Sequence, residues 1–598
     1  MTSAYGARVS RGKTRFAVRA PLARAVWLCL FSGDAETRVA MRRSGDDWLA
    51  ELDGDHTGAR YGYRTEGEWV PERGLWFDPA KLLVDPYAVE LDRRFGQDPA
   101  LGQYGADTAA LVPCAVVPGK LPQVRRRQPL FNPGGLIYEL NVRGFTMLHP
   151  QVPADQRGTV AALAHPAVIG HLRGLRVNAV ELMPITAWID ERHLGPLGLS
   201  NAWGYNPVVP MALDPRLCPG GVAELRETVA ALQKAGIGVI LDLVFNHTGE
   251  SDVHGGVLSL RGLDNAAYAH GAEGSLINDT GCGNTLDFAG PAVRWLALDT
   301  LRHFVRHCGV DGFRFDLAPI MARGPGFDPA APLFAQLAAD PLLADRVLIA
   351  EPWDIGPGGY QLGQFPEGWL EWNDRFRDDA RRFWRGDGKL ADLVTRIAGS
   401  SDIFPGTCRS VNFIAAHDGF TLADTVAFAD KHNEANGEGN RDGHSDNLSW
   451  NCGTEGPSID PAVIAARAAD LRALLATLFA STGTIMLSAG DEFGRSQQGN
   501  NNAYAQDNAH SWVDWEVRDL ALEDFVAGLA QARSERSAIN AEFPVGGDWL
   551  RPDGHAMSSA DWDDPQTDEV IYQIAIKSDT CVLEIARSRH KFAWTVLR

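Results

Sequence analysis

Val310-Asp311-Gly312-Phe313-Arg314-Phe315-Asp316 is a short apolar run that stops on an acid. As a strand it puts Arg314 and Asp316 on one face and Phe313 and Phe315 on the other, because successive side chains alternate. Other runs have the same form. Ile137-Tyr138 leads into Glu139 and Asn141, and Val177 to Leu182 carries Glu181 before Met183-Pro184. Val239 to Phe245 stops on Asn246-His247, and Val347 to Ala350 on Glu351. Phe413 to Ala416 stops on His417-Asp418, and Thr484 to Ala489 leads to Asp491-Glu492. One strand ending on an acid is ordinarily a loop start or a helix cap. Seven in order have a common cause if parallel strands deliver their C-terminal ends to one mouth, as in a (β/α)8 barrel.

Between these runs the apolar period changes to that of a helix. From Val222 to Ala235, Val222, Leu225, Val229 and Leu232 share a face, and Gly236 stops the run. From Ala292 to Cys308 a stripe of Val293, Leu296, Thr300, Leu301 and Phe304 ends before Gly309. Strand–helix alternation implies a parallel sheet, and its length favours a barrel with insertions. The flanks read differently. Phe16 and Val18, the run Ala25 to Phe31, and Tyr61 and Tyr63 predict short strands separated by turns such as Asp53-Gly54-Asp55. A Pro/Arg/Gly-rich stretch, Pro118 to Gly135, reads as a linker. After Trp515 come a helical stretch near Leu520 to Arg533 and the runs Val570 to Ile576 and Cys581 to Ile585. The expected architecture is an α/β chain: an N-terminal β-sandwich over 1–125, a (β/α)8 (TIM) barrel over 136–515, and a short C-terminal β-rich domain over 516–598.

The chain has 598 residues and a formal net charge of −20, with 45% hydrophobic and 22% charged residues. That composition is globular. An acidic chain whose only compact basic cluster is Arg125-Arg126-Arg127 repels a phosphate backbone, which argues against a nucleic-acid partner. No apolar run approaches a membrane span. Eight cysteines lie singly with no C-x-x-C pair, which argues against a zinc or redox site and fits a reducing compartment. The residues before Arg15 hold no apolar signal core, so a cytoplasmic protein is expected. No cofactor and no metal are expected, and oligomeric state leaves no mark on the sequence.

Two carboxyl groups can cut a glycosidic bond with retention, one as nucleophile and one as acid. Asp316 offers the first, beside a guanidinium that favours a charged carboxylate. Taken alone, Arg314 and Asp316 read more readily as a structural ion pair inside the barrel. Glu351, before Pro352-Trp353, offers the acid, since a neighbouring aromatic lowers local polarity. His417-Asp418 adds a third acid and an imidazole, and Asp242, Asn246 and His247 add polar groups from an earlier strand.

Four segments, Asp242 to His247, Gly312 to Asp316, Glu351 to Asp354 and Ala416 to Asp418, resemble the signature regions of the α-amylase family, glycoside hydrolase family 13. Val177 to Pro184 is similar to that family's motif on its second strand. Trp203-Gly204-Tyr205-Asn206-Pro207, Thr280-Gly281-Cys282-Gly283-Asn284, Gln497 to Asn508 and Phe77 to Tyr87 resemble the isoamylase-type bacterial glycogen debranching enzymes, whose N-terminal domain is similar to carbohydrate-binding module family 48. The resemblance implies Asp316 as nucleophile, Glu351 as general acid/base and Asp418 as the third acid, which holds sugar hydroxyls. It implies that Arg314 orients the nucleophile, that His247 and His417 bind sugar, that Asp242 is a structural acid beneath the site, and that Tyr205 lies near the sugar before the scissile bond. Asn141 departs from the pattern, since relatives often carry His there, and the region after Trp515 is shorter than usual. The implied substrate is glycogen or another branched α-glucan cut at α-1,6 linkages. The competing readings are an α-1,4-acting amylase or transglycosylase on the same scaffold and a non-catalytic glucan binder. The Asn, Gln and aromatic residues of Leu199 to Pro207 and Gln497 to Asn508 are expected to contact sugar and so to bear on bond choice.

Overall fold

A computed structural model of the protein describes residues 5–324, 326–535, 540–543, 546–576, 579–589 and 591–597; the other residues of the expected 1–125, 136–515 and 516–598 segments lie outside the description. Eight parallel strands close a barrel. They are β1 (Leu136–Leu140), β2 (Ala179–Leu182), β3 (Gly238–Leu243), β4 (Gly312–Phe315), β5 (Val347–Ala350), β6 (Trp369–Asn373), β7 (Ser410–Asn412) and β8 (Thr484–Ser488). Each pairs with the next, and β8 pairs with β1.

The periodic helices form where the sequence places them. α1 (Gly221–Lys234) buries Val222, Leu225, Val229 and Leu232. α2 (Pro291–Cys308) starts on a proline, whose missing N–H is no loss at the first helical turn. It ends on Gly309 at φ 78°, which returns its N–H to the carbonyls of Phe304 and Val305. These faces pack on the outside of the strands in one continuous apolar cluster, while Ile137, Ala179, Ile240, Ile349, Leu370, Val411 and Met486 fill the barrel's interior. Burying each of these side chains larger than alanine contributes roughly 1.5–3 kcal/mol.

Two strands depart from the sequence reading. β6 is not among the runs recognised there, and the seventh strand is Ser410-Val411-Asn412, so that Phe413 to Ala416 is the loop leaving it. Both strands carry polar residues that hydropathy discounts. Glu371 in β6 is buried against Arg409 at 2.6 Å. Asn373 donates to Ser400 at 3.0 Å and Ser410 at 2.9 Å, and Asn412 donates to Ser481 at 3.0 Å. Buried polar groups with all these partners cost little, so the strands need not be apolar.

The N-terminal region is two four-stranded sheets face to face. One is built from Gly6–Ser10, Lys13–Arg19, Asp47–Asp53 and Arg42–Ser44; the other from Ala115–Val116, Arg60–Glu66, Ala25–Ser32 and Ala35–Ala40. The Phe77 to Tyr87 motif locks it internally. Asp85 accepts from the hydroxyls of Tyr61 at 2.8 Å and Tyr63 at 3.1 Å, and its burial pushes its pKa up to about 6. The fully buried Lys81 donates to the carbonyls of Ala100, Gln103 and Ala106. The sandwich is tied to the barrel by Arg19–Asp264 at 2.9 Å and by Thr65 to the Gly262 carbonyl at 2.8 Å. The linker is held too, with Arg126 at 2.7 Å from Asp345 and the Val124 N–H on the Arg306 carbonyl. Beyond the barrel, helix Leu520–Ser534 leads to a four-stranded antiparallel sheet of Asp548–Leu550, Glu569–Ile576, Asp579–Ala586 and Lys591–Leu597. Its Val570, Leu583 and Ile585 join the apolar cluster around the barrel. Among the described residues no helix is long and apolar enough to cross a membrane.

Candidate active site

Arg314 is fully buried on β4 and stands at the centre of the acids. Its Nη1 lies 3.0 Å from Asp242 Oδ1 and 3.1 Å from Asp316 Oδ1, and its Nη2 lies 3.0 Å from Glu351 Oε2. One planar guanidinium thus bridges acids from β3 and from the ends of β4 and β5. Its face stacks on the ring of Trp372 from β6, 4.3 Å from the centroid. Burial lowers its pKa, but Asp242 and Glu351 prevail and raise it well above the ordinary value.

Asp316 follows β4 directly. Its Oδ2 accepts from Asn246 at 2.7 Å while its Oδ1 takes the Arg314 contact, so donors reach both oxygens. The next residue, Leu317, has φ 42° and ψ 51°, the left-handed region that side chains disfavour. That turn aims the Leu317 N–H at Glu351 Oε2, 2.8 Å away. Glu351 leaves β5 with its carboxyl buried, and burial, opposed by Arg314 and reinforced by Asp316, raises its pKa well above the usual carboxylate range. A proton-bearing carboxyl beside an acid gripped by a cation and an amide is the asymmetry that acid-assisted displacement requires.

Asp242 sits beneath, fully buried, bonded to Arg314 and to the Tyr205 hydroxyl; burial outweighs the guanidinium and pushes it up to about 6. Tyr205 stacks on His417 with 4.8 Å between centroids and 22° between planes. His417 is held twice by Glu139 of β1: its N–H donates to Oε2 at 2.9 Å, and Nδ1 lies 2.6 Å from Oε1. Burial lowers its pKa, but the Glu139 carboxylate wins and raises it. His247 is buried with Nδ1 on Asn246 Oδ1 and no protein hydrogen bond at Nε2, and burial lowers its pKa. Asp418 lies at the rim, 3.4 Å from His444 Nε2. Desolvation raises its pKa, but the hydrogen bond and charge of His444 prevail and lower it.

All eight residues singled out in the sequence therefore gather around the C-terminal end of the barrel. Four further residues serve the same centre. Glu139 and Asn246 were visible as strand-end polar residues, though their partners were not. Trp372 lies on the unrecognised β6, and His444 lies in a long loop without a sequence signal.

Several amides of the asparagine-rich loops bond other protein groups. Asn433 and Asn501 exchange two bonds, at 2.8 and 2.9 Å. Asn501 also donates to Asn447 at 2.7 Å and to the His444 carbonyl at 2.8 Å. Asn500 donates to Asn436 at 3.0 Å, and Asn436 to Asp442 at 2.7 Å. Asn433, Asn436, Asn500 and Asn501 are all fully buried, so their amides knit the loop after β7 to the loop after β8. Asn201 and Asn206 spend theirs on the turn around Trp203 and on the Ile189 carbonyl. Asn284 binds the backbone of Thr248 and Ser251 beyond His247. Asn141, the departure noted in the sequence, caps the helix Val142–Thr146 and reaches the Ala202 carbonyl at 2.7 Å. The partly exposed aromatics Trp203, Tyr205 and Tyr504 remain at the mouth, with Trp203 edge-on to His417 at 5.0 Å.

Comparison with known proteins adds a second line. Residues 4–88 match carbohydrate-binding module 48, the isoamylase N-terminal domain. The glycogen debranching enzyme of Yersinia enterocolitica is 50% identical over 564 residues, covering 90% of this chain and 85% of that protein. That of Serratia proteamaculans is 46% identical over 586 residues, covering 93% and 88%. In fold the chain is similar to the pullulanase of Bacillus acidopullulyticus, with a TM-score of 0.71 at 20% identity over 97% of this chain and 68% of that one. It is likewise similar to a pullulanase from Anoxybacillus sp. LM18-11 complexed with maltotetraose, with a TM-score of 0.69 at 23% identity over 97% and 81%.

Proposed function

Because the chain belongs to the glycogen debranching enzyme family, we propose that it hydrolyses the α-1,6-glucosidic branch linkages of glycogen or limit dextrin. The observation that carries this reading is the 50% identity extending over 90% of the chain. The reaction is a retaining double displacement. Asp316 attacks the anomeric carbon while Glu351 protonates the departing oxygen. Glu351 then takes a proton from the water that opens the glycosyl–enzyme bond. Asp418 and His417 hold hydroxyls of the distorting sugar, His247 adds a further contact, and Tyr205 offers its ring before the scissile bond. Arg314 serves the chemistry by bridging nucleophile and acid, and Asp242 holds Arg314 from below.

The four catalytic segments do not choose the bond, since α-1,4 and α-1,6 cleavage pass through the same kind of transition state. Choice lies with the loops after β7 and β8 and with the aromatics at the mouth. The enzyme works in the cytoplasm on a branched glucan, removing side chains left during its breakdown. The test compares glycogen pre-shortened by phosphorylase with linear maltooligosaccharides. Release of short linear chains from the first, with slow cutting of the second, is expected. Faster attack on the linear substrate makes the enzyme an α-1,4 amylase; redistributed chain lengths with little new reducing sugar make it a transglycosylase. Absence of any change in either substrate makes it a binder.

A further inference from the structure

Away from the barrel mouth, a cleft of about 1120 Å3 opens between the N-terminal sandwich, the linker and α2. Small-molecule sites run from roughly 300 to 1,000 Å3, so this space has room for a metabolite and water. Its lining is unlike the rest of the molecule. Six cationic side chains face it: Arg8, Arg15 and Arg42 from the sandwich, Lys120 from the linker, and Arg302 and Arg306 from α2. Only three acids, Glu51, Asp55 and Asp299, stand among them. Six against three leaves an excess of three positive charges in a chain whose net charge is −20. Two of the acids are already spoken for, Glu51 by Arg15 at 2.6 Å and Asp299 by Arg302 at 2.9 Å. Arg42 and Lys120 have no acidic partner among the described residues.

A second observation is independent of the charge count. His303 lines the same cleft, is 6% exposed, and its buried Nε2 has no hydrogen-bond partner. A buried ring nitrogen left unbonded costs free energy, and a ligand in the cleft that bonds it relieves that cost. The rings of Tyr5 and Tyr87, 5.1 Å apart, also line the cleft. A neutral glucan has no need of three surplus charges. Guanidinium forks match phosphate oxygens, and flat rings with a free imidazole nitrogen suit the organic part of a sugar ester.

We propose that this interdomain cleft binds a phosphate-bearing small molecule of about hexose-phosphate size, giving the enzyme a second ligand site remote from the bond it cuts. Such a ligand bridges the sandwich and α2. That helix runs directly into β4, which carries Arg314, so the site adjoins an element that positions the catalytic centre.

The test is calorimetric titration of the full chain with glucose 1-phosphate, inorganic phosphate and maltotetraose. It is repeated on an R42E/K120E double variant, in which the excess of three becomes a deficit of one. Saturable, salt-sensitive binding of glucose 1-phosphate is expected, weakened at least about tenfold in the double variant. Equal affinity for inorganic phosphate assigns recognition to the phosphate alone; tighter binding of the sugar phosphate adds the rings. Far-UV circular dichroism checks that the double variant folds. If it does not, the surface change Lys120→Gln serves, with a loss of affinity of a few-fold. Failure of both anions to bind, binding undiminished in the variants, or binding of maltotetraose alone overturns the proposal.

Discussion

Replacing Arg314 with lysine tests the organisation of the site most directly. The guanidinium reaches three carboxylates through two nitrogens, Nη1 to Asp242 and Asp316 and Nη2 to Glu351, at 3.0 to 3.1 Å. A single ammonium cannot occupy both nitrogen positions, so either the buried Glu351 ion pair or the hydrogen bonds to Asp242 and Asp316 are lost, worth roughly 1.5–3 kcal/mol. The flat stack on Trp372, 4.3 Å from its centroid, is lost as well; cation–π contacts of this kind contribute about 0.5–2 kcal/mol. If both act in the transition state, kcat/KM falls by about 30-fold to a few thousandfold. The pH profile carries a second signature. Arg314 opposes the burial that raises Glu351, and Glu351 must be protonated to act as acid. Activity is therefore present below the Glu351 pKa and lost as pH rises through it. Moving the cation away from Glu351 raises that pKa further and shifts the alkaline limb to higher pH. The assay is initial-rate release of reducing ends from limit dextrin across about pH 5 to pH 9, with circular dichroism to establish folding. A variant within about threefold of wild type in kcat/KM, with its alkaline limb unmoved, would refute the bridging role.

Asp316→Asn keeps the carboxylate's shape without its charge; kcat should drop by several powers of ten with glucan binding retained, the anomeric product of the wild type should be retained by NMR, and its two carboxyls should lie about 5–5.5 Å apart. Near-normal turnover, or an inverted product, contradicts the assignment. Glu181 is buried with neither carboxyl oxygen bonded to protein, and burial raises its pKa well above 4.5. Above that unfolded-state value the unfolded chain releases the proton and the folded one keeps it, so this group's contribution to stability falls as pH rises. Glu181→Gln should therefore melt higher than wild type at neutral pH, with the gap closing near pH 4; a gap that widens toward acid contradicts this. Asn501→Ala removes the side-chain bonds to Asn433, Asn447 and the His444 carbonyl from the network joining the loops after β7 and β8, leaving the buried Asn447 oxygen without its donor at a cost of about 1–3 kcal/mol. A raised KM for branched glucan with a smaller change in kcat on short substrates is expected; an unchanged KM means the amide network does not shape the mouth.

Much of the protein can be read from strand-level patterns. That Arg314 and Asp316 share a face follows from the two-residue period of a strand, and that seven runs stop on polar groups follows from their order along the chain. α1 and α2 are likewise local, because a helix's apolar stripe recurs within a few residues. These patterns pointed to the barrel and offered the acids as candidates, while the roles of those acids came from the family resemblance. They did not reveal β6 or the true start of β7, whose polar residues are stabilised by partners from other segments, Arg409 for Glu371 and Ser481 for Asn412. Nor could they show that Glu139 grips His417, a pairing 278 residues apart in sequence that exists only once β1 and β7 stand on either side of β8. The asparagines make the same point. An amide can bond a sugar or a backbone with equal ease, and only closure of the loops over one another decides that Asn433, Asn436, Asn500 and Asn501 bond each other and their neighbours. Periodicity is a property of a few consecutive residues and is written in the sequence. The choice among chemically equivalent partners depends on distance in three dimensions, and tertiary structure alone sets it.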